Sequence, residues 1–147
     1  MARIRGSIDI ARPVESVFDF VADQRNEPSY NPSMCESLKI TDGPIGVGTR
    51  FRATILRRGK PLEMVIEYTG FDRPRLLASR TVMPGTLVTG QLSLEPIPAG
   101  TRFLWDWEVA VQGAARLAGP AIGLIGRRQE RAIWTALKQK LEGSAGP

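Results

Sequence analysis

Between residues 36 and 111 the chain reads as a run of strands separated by turn signals, several of them alternating apolar and polar side chains, and one long helical pattern follows. Thr49–Arg57 sets Phe51, Ala53 and Ile55 against Arg50, Arg52 and Thr54. Leu62–Phe71 sets Leu62, Met64, Ile66 and Tyr68 against Glu63, Val65, Glu67 and Thr69, and Thr101–Val111 sets Phe103, Trp105, Trp107 and Val109 against Arg102, Leu104, Asp106 and Glu108. A period of two is the signature of a strand with one dry and one wet face. Glu36–Thr41, Arg75–Val82 and Thr86–Glu95 read as further strands, with Val88, Leu92 and Leu94 on one face of the last. The breaks are Asp42-Gly43-Pro44, Arg58-Gly59-Lys60-Pro61, Asp72-Arg73-Pro74, Pro84-Gly85 and Pro98-Ala99-Gly100, all turn chemistry. Tight turns between strands predict an antiparallel meander, and its dry face needs a cover.

The cover is at the end of the chain. From about 114 to Glu142 the apolar residues fall at helical spacing: Leu117, Ala121, Leu124, Ile125, Ala132, Ile133, Ala136, Leu137 and Leu141. Gly119-Pro120 interrupts the first turns, so the helix starts or kinks there. Residues 143–147, GSAGP, read as a stop and a frayed tail. At the other end, Arg3–Ile10 reads as a half-buried strand, Pro13–Ala22 as a short amphipathic helix opened by proline, and Asp23–Pro28 as a second helical turn. The chain predicts one α+β domain over residues 1–147: a sheet of about seven strands and a lone long helix that must bury each other.

Composition removes whole classes of chemistry. The chain has no histidine, which excludes Ser-His-Asp and Cys-His centres and histidine-ligated metals. Its single cysteine, Cys35, permits neither an internal disulfide nor a cysteine zinc cluster, and is expected to be a small buried or half-buried residue. No calcium-loop spacing is present, so neither metal nor cofactor is expected. No apolar run reaches the roughly 18 residues of a spanning helix, and MARIRGSIDI has no cleavable apolar leader, so the expected location is cytoplasmic. The net charge of +5 favours anionic partners, but the arginines are scattered and no nucleic-acid motif accompanies them, so no nucleic acid is expected. GPIGVG lacks a Gly-Lys-Ser/Thr ending and leads into a strand, which makes it a hairpin and not a phosphate loop. Glu63, Glu67, Asp106 and Glu108 fall on the charged face with Arg50, Arg52, Arg80 and Arg102, as cross-strand ion pairs.

The order of these segments resembles the helix-grip fold, and their details resemble the polyketide cyclase/dehydrase-like members of the START and pollen-allergen-like superfamily (SRPBCC). Val17-Phe18-Asp19-Phe20-Val21-Ala22-Asp23 fills that family's V-F-x-[FY]-[LVI]-[AST]-[DN] helix, and Tyr30-Asn31-Pro32 its aromatic-Asn-Pro segment. GPIGVGTRFR, YTGFDRPRLLASR, GTRFLWDWEV and LKQKLE resemble the family's hairpin, strand-turn-strand, last strand and helix ending, so the likeness covers nearly the whole chain. One departure is Tyr30, where many relatives carry tryptophan. The resemblance implies a curved sheet gripping the helix around a hydrophobic pocket. It implies no activity, because one fold hosts many functions.

Trp105 and Trp107 project to one face of the last strand and, with Phe103, are expected to pack under the long helix or to line that pocket. Phe51, Met64, Ile66, Val88 and Leu92 are the other inward candidates on the sheet. Tyr30 and Met34 are expected near the mouth, and Leu124 on the long helix. Arg128, about a turn from Leu124, either holds an anionic ligand group or is solvated. Trp134 either packs the helix on the sheet or lies partly exposed. The reading that follows is a non-catalytic binder or carrier of a small hydrophobic molecule: a lipid, an isoprenoid or a polyketide. The alternatives are a cyclase or dehydratase that works through a carboxylate or tyrosine, and a lipid chaperone in transient contact with anionic membranes.

Overall fold

A computed structural model describes residues 2–113 and 119–143, and it has the expected helix-grip architecture. β1 (Ala2–Ile10) is followed by α1 (Val14–Ala22) and a 3-10 helix (Gln24–Ser29). The meander comprises β2 (Met34–Lys39), β3 (Arg50–Arg57), β4 (Lys60–Asp72), β5 (Leu76–Met83), β6 (Thr86–Ile97) and β7 (Gly100–Val111), and α2 (Gly119–Gly143) ends it. Every neighbouring pair is antiparallel in the order β1-β7-β6-β5-β4-β3-β2, so the first strand closes on the last. The expected helical start at 114–118, which includes Leu117, and the tail at 144–147 lie outside the described residues.

Local chemistry explains most boundaries. Pro13 stands at the N-terminal boundary of α1, where an absent N–H costs nothing. Val14, Val17, Phe18, Val21 and Ala22 form its buried face, and the Phe18 ring meets Phe71 edge-on with centroids 5.2 Å apart. Arg58 and Gly59 both have positive φ, 53° and 76°, the backbone of a tight two-residue hairpin turn between β3 and β4. On the wet face the ion pairs form as expected: Arg50 with Glu67 at 3.2 Å and Arg52 with Glu63 at 3.7 Å. Asp106 pairs there with Arg3 at 3.0 Å and Arg5 at 3.6 Å, and Arg102 pairs with Asp9 at 3.1 Å.

One expectation is corrected. Cys35 is exposed, because a β-bulge between Met34 and Glu36 leaves it as the extra residue, unpaired across from β3. Its thiol reaches the Thr54 carbonyl at 3.3 Å while Met34 turns inward.

α2 runs along β1 and is pinned at its C-terminal end. Lys138 Nζ donates to the Asp9 carbonyl at 2.7 Å, the Ala11 N–H donates to Glu142 Oε2 at 2.8 Å, and Arg12 Nε donates to the Leu141 carbonyl at 2.9 Å. The last contact satisfies a carbonyl that the helix end leaves free. Farther up, Gly126 sits over Ile4, and the missing side chain lets helix and strand approach. No helix among the described residues is long and apolar enough to cross a membrane.

Candidate functional site

Three elements converge under α2. β7 turns Phe103 and Trp105 inward and leaves Trp107 half-buried. The turn after the 3-10 helix brings in Tyr30, which is buried. α2 contributes Trp134 and Leu137, also buried. The Trp134 ring is the hub: its centroid lies 4.8 Å from Phe103, 6.1 Å from Tyr30 and 6.3 Å from Trp105. Gly6 makes the arrangement fit, because a Cβ there would stand 2.2 Å from the Trp105 ring. Outside, the Arg131 guanidinium covers Trp105 at 5.4 Å from its centroid, a cation–π contact.

Polar groups gather in this apolar setting. Glu130 is half-buried by area, yet protein crowds it so closely that lost hydration pushes its carboxyl up to about 8. Repulsion from Glu27 adds to the rise, and the indoles of Trp134 and Trp107 partly offset it. Glu27 also rises by desolvation, tempered by Asn31 Nδ2, which donates to its Oε2 at 2.9 Å. Tyr30 is driven well above the ordinary phenol value by burial first, then by Glu27, Tyr68 and Glu130. Tyr68 rises through burial as well, and its hydroxyl donates to the Ala22 carbonyl at 2.5 Å. The indole nitrogens of Trp105, Trp107 and Trp134 and the Gln24 side-chain oxygen are buried with no partner in hydrogen-bonding geometry.

The expected site residues divide into groups. Tyr30, Met34, Phe51, Met64, Ile66 and Leu92 are buried in one core with Phe103 and Trp105, while Val88 and Trp107 are half-buried. Tyr30 and Met34 stand inside that core and not at an open rim. Trp134 takes the packing role of its two alternatives. Leu124 and Arg128 stand elsewhere and are exposed, Leu124 at 52%. The inward line of α2 instead runs through Gly123, Gly126, Glu130, Trp134 and Leu137. An open surface hollow of about 260 Å³ lies apart from the cluster, lined by Glu63, Met64, Val65, Val82, Met83 and Pro84.

Sequence reasoning missed Glu27 and Glu130. Glu130 is hidden within the charged run GRRQER, which reads as a solvated face. Its signal is phase: position 130 falls four before Trp134 and seven before Leu137, on the apolar stripe. Glu27 lies in a polar break whose only cue is the spacing to Asn31.

Residues 1–142 match the family described as polyketide cyclase/dehydrase and lipid transport. A START superfamily protein from Mycobacterium smegmatis superposes with a TM-score of 0.85 at 14% identity, covering 99% of this chain and 100% of that one. The Zhui aromatase/cyclase from Streptomyces sp. R1128 superposes at 0.80 and 14% identity, over 99% and 98% of the two chains. Ara h 8.0201 superposes at 0.76 and 15% identity, over 96% and 97%. At such identities these structures share the fold alone. Among curated proteins none matches this sequence.

Proposed function

The chain belongs to the polyketide cyclase/dehydrase and lipid-transport family, and on that premise we propose that it binds a small, mostly apolar molecule between the sheet and α2. The observation that carries this reading is the unsatisfied polar cluster inside an apolar core. Buried N–H groups and carbonyls are nearly always paired, so indole donors with no fully formed hydrogen bond beside the Glu130 carboxyl fit a place where a ligand's polar end completes the bonding. Phe51, Met64, Ile66 and Leu92 would take its apolar body.

All three tryptophans of the chain belong to this cluster, so intrinsic fluorescence reports on it without a label. Native mass spectrometry of protein from its own host should show a co-purified hydrophobic molecule. Adding that molecule back to stripped protein should shift the tryptophan emission saturably. Protein that carries nothing, and whose emission ignores every apolar probe, would refute the reading.

A second reading, cyclisation or dehydration of a polyketide-like substrate, is favoured by one observation: Glu130, pushed up to about 8, keeps its proton near neutral pH. In a dehydration it would protonate the departing hydroxyl, which leaves as water, while Glu27 accepts the proton from the adjacent carbon. Conversion of a β-hydroxy ketone to its enone, lost in Glu130→Gln, would distinguish enzyme from carrier. Delivery of an apolar ligand from an anionic membrane fits the exposed Leu124 and Ile125 beside Arg127 and Arg128. Salt-sensitive binding to phosphatidylserine vesicles would register that contact.

A further inference from the structure

The sheet wall is incomplete at one place. β4 and β5 stop pairing at Val65–Val82, yet β4 runs on to Lys60 with β3 alone beside it. β5 ends one residue later, where Pro84 and Gly85, the latter at φ 72°, close a two-residue hairpin into β6. The surface hollow of about 260 Å³ occupies the notch that this leaves. An open strand edge invites another strand. Here Lys60 and Pro61 stand on the overhang, a charge and a residue without an N–H, and both oppose strand addition.

Two methionines belong both to this notch and to the interior. Met64 lines the hollow and is buried in the core, in the row assigned above to the ligand's apolar body. Met83 lines the hollow and packs half-buried against the same core. They hold the next register position beyond Val65–Val82, facing each other where the pairing has ended. On its other side Met64 faces Ala53 of β3, a small side chain. The partition between hollow and core is therefore side chain here, not hydrogen-bonded backbone. Methionine is unbranched and turns about three bonds, so it swings aside at small cost, which a β-branched side chain does not.

We propose that this notch is the entrance for an uncharged apolar ligand, which lodges first in the hollow and passes inward as Met64 and Met83 turn aside. This rests on the interior being the ligand site and names the way into it. At about 260 Å³ the hollow falls below the roughly 300–1,000 Å³ of sites that enclose a whole ligand, which suits a station on the way in and not a final seat. Val82, 43% exposed, gives the rim an apolar lip. A charged group would lose its hydration between two thioethers with nothing to replace it, so the ligand enters neutral.

A disulfide that can be closed and opened tests this within one sequence. Met64→Cys and Met83→Cys, at facing positions in a Cys35→Ser background, staple the notch when oxidised. Stopped-flow tryptophan emission follows decanol, a neutral apolar probe, onto and off the oxidised and reduced forms. Stapling should slow association and dissociation alike by about tenfold and leave Kd within about twofold, because an entrance changes the path and not the seat. Reduction should restore both rates. Met83→Ala, which needs no crosslink, should speed both rates by about threefold. Equal rates in the stapled and open forms overturn the inference and leave the ligand site standing; where the cysteines do not join, unchanged rates in Met83→Ala do the same. A dimer in sedimentation velocity that Val82→Asp dissociates would assign the notch to a second copy and also overturn it. No saturable binding to the unsubstituted protein overturns the site and its entrance together.

Discussion

Replacing Glu130 by glutamine should change the pH dependence of stability. In the unfolded chain this carboxyl ionises near 4.5, and in the fold it is pushed up to about 8. Between those values the unfolded chain has shed a proton that the native protein keeps. The stabilisation is therefore complete below about pH 4.5 and is lost as pH rises toward 8. At about 1.4 kcal/mol per pH unit the ceiling is about 5 kcal/mol. Glu130 is half-buried and shares its titration with Glu27, so solvent screening and coupling bring the expected effect to roughly 2–3 kcal/mol. Asp19, Asp23, Asp106 and Glu142 do not interfere. Partners hold their pKa values down, so what they contribute is lost only as pH falls below the ordinary carboxylate range. Urea unfolding followed by far-UV circular dichroism, at about pH 5 and about pH 8.5, measures both proteins. The unsubstituted protein should lose roughly 2–3 kcal/mol relative to Glu130→Gln across that interval. Parallel curves, or a gap that opens in the other direction, would show that Glu130 is hydrated and refute the interior cluster as described.

Two glycines that look alike in sequence should respond in opposite ways to alanine. At Gly6 the new methyl would lie 2.2 Å from Cζ2 and 2.5 Å from Cε2 of Trp105, a rigid ring, so Gly6→Ala should destabilise by about 1–3 kcal/mol and shift tryptophan emission. At Gly126 the obstacle 2.3 Å away is the terminal methyl of Ile4, which can rotate aside, and the helix gains about 0.8–1 kcal/mol from alanine. Urea midpoints should therefore fall for Gly6→Ala and stay level or rise for Gly126→Ala; equal losses would mean that α2 is wedged as tightly on β1 as Trp105 is. Tyr68→Phe removes the buried bond to the last carbonyl of α1 and should cost about 1–3 kcal/mol in thermal or urea unfolding, and an unchanged midpoint would mean that another donor takes over Ala22.

The fold was legible because its signals repeat. β3, β4 and β7 are 8, 13 and 12 residues long, and each sets apolar residues at every second position of its inward face, while every turn carries Gly, Pro or Asp chemistry that breaks a strand. Errors arose where one residue breaks a count. Reading β2 from Glu36 missed the bulge, and with it the reason that Met34 is buried and Cys35 exposed. On α2, taking Leu124 and Ile125 as inward puts the wrong face of the helix inside, because at about 100° per residue they lie opposite the buried stripe, and that phase error moves Glu130 to the solvent side.

That phase error shows why the aromatic wall could be read and the acids could not. Phe103, Trp105 and Trp107 are bulky and apolar, so composition and alternation both point them inward. A carboxylate carries the opposite prior: a charged residue between arginines is taken as solvated unless packing says otherwise. Glu130 is drawn inward by its neighbours. Trp134 and Leu137, four and seven residues on, must be buried, and the small Gly123 and Gly126, seven and four residues back, let the same stripe lie against β1. The helix cannot bury that stripe without carrying Glu130 into it, and Glu27 waits across the interior. The place of Glu130 therefore follows from the packing of its neighbours, and Glu27 adds to the cost of ionising it. A chain that needed only an oily container would gain by placing leucine at position 130. That it places an acid there, opposite another, is the strongest reason to look for a ligand whose polar end matters.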